Sequence, residues 1–164
     1  MGNRVKNTIF AKSKKNILKI MDLKEILAIT GKKGLYKVVS HEKSRIIVES
    51  LLDNARMPVF PSSRPSALEN ITIFTEEKDM PLEKVFKKIF ETTQGGKVQE
   101  NRIANDVELK KYMEEILPQY DKTRVYVSDM KKIFVWYNIL LDNDLLSFED
   151  ENEETESDAN IDTE

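Results

Sequence analysis

The sequence predicts an α+β chain: a small antiparallel SH3-like β-barrel or sheet with flanking helices, then a small helix–extended loop–helix C-terminal domain. Two observations carry this. Four short β-branched or aromatic runs crowd between residues 35 and 75, joined by tight polar connections. Beyond them the apolar residues change period, recurring at i, i+3 and i+4 over 82–90, 109–116 and 130–141.

Taken in order, residues 22–30 read as a short helix. Asp22 suits an N-cap, Leu23, Ile26 and Leu27 share a face, and Gly31 stands where a left-handed residue ends a helix. Strands are expected at 35–39, 45–51, 56–60 and 71–75. Ser-His-Glu-Lys-Ser at 40–44 is a polar hairpin loop, and Pro58 places the third strand at an edge or bulge. Residues 61–70 are a loop with one helical turn at 66–69. Pro81 favours a first helical turn, and Leu82, Val85, Phe86, Ile89 and Phe90 form one face of the helix that follows. The polar segment 93–105, with Gly95 and Gly96, reads as a linker. Leu109, Tyr112, Met113 and Ile116 make an amphipathic helix that Pro118 ends. After an extended run, Ser128 caps a last helix striped by Met130, Ile133, Phe134, Tyr137, Leu140 and Leu141. The expected division is therefore a β-domain at 21–92, the linker, a helical domain at 106–148 and two charged ends.

Those ends hide behind a net charge of −3. Of 26 basic and 29 acidic residues, residues 1–20 hold six bases and no acid, and residues 149–164 hold nine acids and no base. That leaves 20 of each between 21 and 148. The head lacks a secretory signal's apolar stretch and cleavage site. It is either a mis-assigned start, with translation beginning at Met21, or a basic arm that touches anionic partners. The acidic tail has the composition of a disordered, solubilising segment. No apolar stretch is long enough to span a membrane. The absence of cysteine excludes disulfides and thiolate chemistry and fits a reducing cytoplasm.

Gly-Lys-Lys-Gly at 31–34 admits two readings. One is a clamp on a nucleic-acid backbone, but in KH folds that loop joins two helices. Here β-branched residues follow Gly34, so the favoured reading is punctuation between helix and strand, with Lys32, Lys33 and Lys37 as a modest basic patch. The spacing also differs from a Walker loop. His41 is the only histidine and falls in a polar turn. A zinc site or a His-based triad has no second residue behind it. No cofactor fingerprint appears, so the chain is expected to be no enzyme.

The last helix carries more. Val135, Trp136 and Ile139 lie outside its main stripe, beside Lys132. This second face either packs on the β-domain or forms a partner surface with Trp136 as its anchor. Trp136 with Lys131, Lys132 and Arg124 could instead stack a base and hold phosphate.

Helix, extended loop and helix in about forty residues also resemble the small SAP and Rho N-terminal modules, which touch nucleic acid. Over 21–148 the chain resembles a two-part family of uncharacterised bacterial proteins of Bacteroidetes type. The segments that carry this are MDLKEILAITGKKGLYKVVS, IIVESLLDNARMPVF, SALENITIFT, PLEKVFKKIFE and LKKYMEEILPQYDKTRVYVSDMKKIFVWYNILL. The resemblance implies a cytoplasmic protein with a β-domain and a helical domain, and it supplies no catalytic residues. The expected function is a non-enzymatic cytoplasmic adaptor or regulator on a nucleic-acid-containing machine such as the ribosome, RNA polymerase or nucleoid. The alternative is a protein–protein or homodimerisation module that uses Val135, Trp136 and Ile139. A near-neutral core weighs against free nucleic-acid binding, whose affinity comes largely from phosphate neutralisation.

Overall fold

A computed structural model describes residues 23–146. The basic head and acidic tail lie outside the described residues, as do Met21 and Asp22.

The chain is α+β. After a 3-10 turn at Leu23–Glu25, five strands form one antiparallel sheet: β1 (Ile26–Ile29), β2 (Tyr36–His41), β3 (Ile46–Ser50), β4 (Arg56–Val59) and β5 (Pro65–Ala67). Their spatial order is β4-β3-β2-β1-β5, so β4 and β5 are edges and the sheet does not close into a barrel. Pro58, which donates no hydrogen bond, sits in edge strand β4 as its chemistry requires. Leu27 and Ile29 of β1, Tyr36, Val48 and Val59 pack together in the core of one face. The register agrees, with Leu27 opposite Tyr36 and Ile46 opposite Val59.

Residues 26–29 are therefore a central strand rather than the expected helix. Its consecutive residues Ile26 and Leu27 point to opposite faces, and both are buried. A strand covered on both sides reads as an unbroken apolar run, which periodicity alone does not separate from a short helix. Gly31 and Gly34, at φ +76° and +80°, accordingly serve a β1–β2 hairpin, not a helix cap. The 71–75 segment contributes β6 (Thr72–Ile73), paired with β7 (Met80–Pro81) in a separate ribbon, and an isolated antiparallel bridge from Thr75 to Tyr120.

The helices are α1 (Leu82–Thr93), α2 (Glu100–Ala104), α3 (Asp106–Ile116) and α4 (Val127–Asp142). Helix α1 meets α4 through Phe86 and Tyr137, ring centroids 6.4 Å apart. Helix α3 meets it through Tyr112 and Phe134 at 5.2 Å. The 93–105 segment contains α2 and is pinned to α4. Tyr137 Oη donates to the Gly96 carbonyl at 2.9 Å, and the Asn138 amide accepts from Val98 N and donates to Val98 O, both at 2.8 Å. Asn105 caps α3, its side-chain oxygen accepting from Val107 N and Glu108 N.

Residues 117–126 turn repeatedly around one carboxylate instead of running extended. Asp121 accepts from Thr123 N, Thr123 Oγ1, Arg124 N and Arg124 Nε. The N-cap of helix α4 is Tyr126, not Ser128. The Tyr126 N–H donates to the Asp129 carboxylate at 2.9 Å, and Asp129 N–H returns to the Tyr126 carbonyl at 3.0 Å.

Candidate functional site

A cleft of about 740 Å³ opens between the β1–β2 hairpin and helix α4. The hairpin wall is built by its turn. Lys32 N–H donates to the Ile29 carbonyl at 3.0 Å, and the two positive-φ glycines reverse the chain, which leaves Lys32 and Lys33 exposed at the tip. The opposite wall is helix α4, where Lys131, Val135 and Ile139 follow one another at i, i+4 and i+8, with Lys132 and Trp136 alongside. Leu52, Ile71 and Ser66 complete the lining.

Two contacts set the distance between the walls. Gly34 faces Leu52 and the tip of Ile139, so closely that no larger residue fits without moving Leu52. Asn143, just past α4, donates from Nδ2 to the Leu51 carbonyl at 3.1 Å and to the Ile139 carbonyl at 2.8 Å.

The electrostatics are one-sided. Four lysines line the cleft and no carboxylate does. Lys131 pairs with Asp106 at 2.8 Å. Among the described residues, no ion pair engages Lys32, Lys33 or Lys132. Hydrogen bonds from Thr123 and Arg124 hold the Asp121 carboxyl well below the usual carboxylate range. Burial pushes the Tyr112, Tyr120 and Tyr137 hydroxyls up.

The structure thus brings together Lys32, Lys33, Lys131, Lys132 and Trp136, which the sequence offered as two separate patches. Arg124 belongs to a smaller neighbouring pocket of about 230 Å³, which shares Trp136 and Lys132 with the cleft. Its guanidinium lies 4.4 Å over the Phe74 ring and pairs with Asp121. Lys37 is outside, exposed on β2 opposite Ile26 and Glu49. His41 ends β2 and is exposed. The second face of α4 divides: Ile139 is buried against the hairpin, Trp136 is half-buried, and Val135 stays 40% exposed. Leu52, 60% exposed, was missed. Its signal was a bulky apolar residue in a tight turn, where a polar one is expected.

Two family models match the chain, a domain of unknown function (DUF5606) over residues 23–68 and another (DUF6852) over 71–140. Their boundary precedes α1, and it runs through the cleft. The hairpin, Leu52 and Ser66 come from the first segment, and Ile71 and the α4 wall from the second. A solution NMR structure of a protein from Bacteroides vulgatus is 36% identical, with a TM-score of 0.63 over 77% of this chain and 90% of that one. No curated protein matches.

Proposed function

We propose, for a chain that belongs to the two-domain family joining DUF5606 to DUF6852, a role as a non-enzymatic cytoplasmic adaptor whose working surface is this cleft. One observation carries the reading: the two family-matched segments of one chain contribute opposite walls to a single cleft with an apolar floor and a lysine rim. Ligand sites favour such seams, where apolar walls carry a few placed polar groups. The lining holds no histidine and no carboxylate, which favours binding over acid–base chemistry. The cysteine-free composition supports the cytoplasm as its compartment.

The test is a tagged pull-down from the native cytoplasm, with and without nuclease, read by mass spectrometry. The reading expects a protein partner that survives nuclease and is lost in Trp136→Ala. Leu52→Glu, at an exposed position that leaves the core intact, should lose it too. Retention by both variants would remove the cleft from the function.

A second reading places the cleft on a nucleic-acid-containing machine. It is favoured by Trp136 lying among Lys131, Lys132 and the Arg124–Phe74 pair, an arrangement able to stack a base beside a phosphate. Loss of every partner on nuclease treatment would select it.

A further inference from the structure

We infer that the cleft takes a short acidic segment of a partner protein that carries bulky apolar side chains. The inference rests on the adaptor reading and names the chemistry of the partner.

Charge complementarity comes first. Four ammonium groups stand on two facing walls; Lys131 is paired with Asp106 from outside the lining, and Lys32, Lys33 and Lys132 meet no acid among the lining residues. A basic ligand would be repelled from both sides, and a neutral one would leave the lysines unused. Carboxylates meet lysines that keep their stems on apolar surface and their heads at the edge.

The floor decides which kind of anion. Leu52 and Val135 are 60% and 40% exposed, with Ile71 and Ile139 beside them. Aliphatic side chains offer a nucleic acid nothing to stack on, and Trp136 is the one aromatic in the lining. Neutralising a few phosphates is also a weak basis for affinity in a chain of net charge −3. An apolar side chain with a carboxylate nearby satisfies floor and rim together. From Lys131 to Ile139 the wall spans about 12 Å, enough for roughly two turns of a helical partner or four extended residues.

The test is fluorescence anisotropy on the full chain. The probe is a labelled peptide of about a dozen residues, with Leu or Phe recurring every third or fourth position among glutamates. It is run beside a version with Lys for Glu, a version with Ser for Leu and Phe, and an oligothymidylate. The expected result is binding of the first alone, with a shift in Trp136 emission. Lys32→Glu with Lys33→Glu, at two exposed positions, should weaken it at least about tenfold with circular dichroism unchanged. Equal binding of the lysine or serine peptide would overturn the inference. So would tighter binding of the oligonucleotide, no binding of the acidic peptide, or no effect of the double substitution. Where the peptide fails yet Leu52→Glu abolishes pull-down, the adaptor reading stands and only the partner chemistry falls. Where Leu52→Glu and Trp136→Ala both leave pull-down intact, both fall.

Discussion

A Cβ placed on Gly34 would lie 2.7 Å from Leu52 Cδ1, closer than real carbons approach. Gly31, in the same turn and also at positive φ, has nothing within 4 Å of that position. The pair separates backbone strain from crowding. Gly31→Ala should cost about 1 kcal/mol, the left-handed penalty alone. Gly34→Ala adds displacement of Leu52. Urea denaturation should show similar losses for the two, since Leu52 is exposed and can rotate, while only Gly34→Ala changes ligand binding in the cleft.

Tyr137 is buried, yet its hydroxyl meets Thr93 Oγ1 and the Gly96 carbonyl, each at 2.9 Å. Tyr137→Phe keeps the ring against Phe86 and takes the donor from the Gly96 carbonyl, while Thr93 Oγ1 still bonds the Ile89 carbonyl at 2.9 Å. A loss of about 1–2 kcal/mol is expected, read as a lower urea midpoint at constant slope.

Asn138 bonds both the N–H and the C=O of Val98, as a neighbouring strand would. Asn138→Ala removes both bonds at once. The expected outcome is a loss of about 1–3 kcal/mol and faster hydrogen exchange at the Val98 amide, with the sheet amides unaffected.

Asp121 sets the acid limit of the turn before α4. Its folded pKa is depressed, chiefly by the Thr123 hydroxyl and then by Arg124. The unfolded chain binds that proton more readily, so the contribution is complete above the ordinary carboxylate pKa of about 4 and fades as pH falls below it. Asp121→Asn should lower stability at pH 7 and flatten its dependence between about pH 4 and pH 2. Denaturant midpoints across that range check it.

Legibility followed the environment of each residue. Helix α1 was readable because one face is wet and Leu82, Val85, Phe86 and Ile89 mark the other. Strand β4 was readable because Pro58 tolerates only an edge. Strand β1 was not, since Ile26 and Leu27 are buried on opposite faces and carry no alternation. The 93–105 segment looked like a linker because its order comes from Tyr137 and Asn138, some forty residues away. The candidate site was half legible. Lysines 32, 33, 131 and 132 and Trp136 were named, but their meeting depends on a hairpin where a helix was expected. Leu52 and Ile71 join them only through tertiary packing.

A cleft whose walls come from residues 23–68 and 71–140 makes any occupant a clamp. Whatever binds there must stabilise both segments together, because opening either one destroys the site. By mass action, a ligand present at a hundred times its dissociation constant adds about 2.7 kcal/mol to unfolding. A melting-temperature screen can therefore find the natural ligand with no assay for its function, and Leu52→Glu supplies the blank.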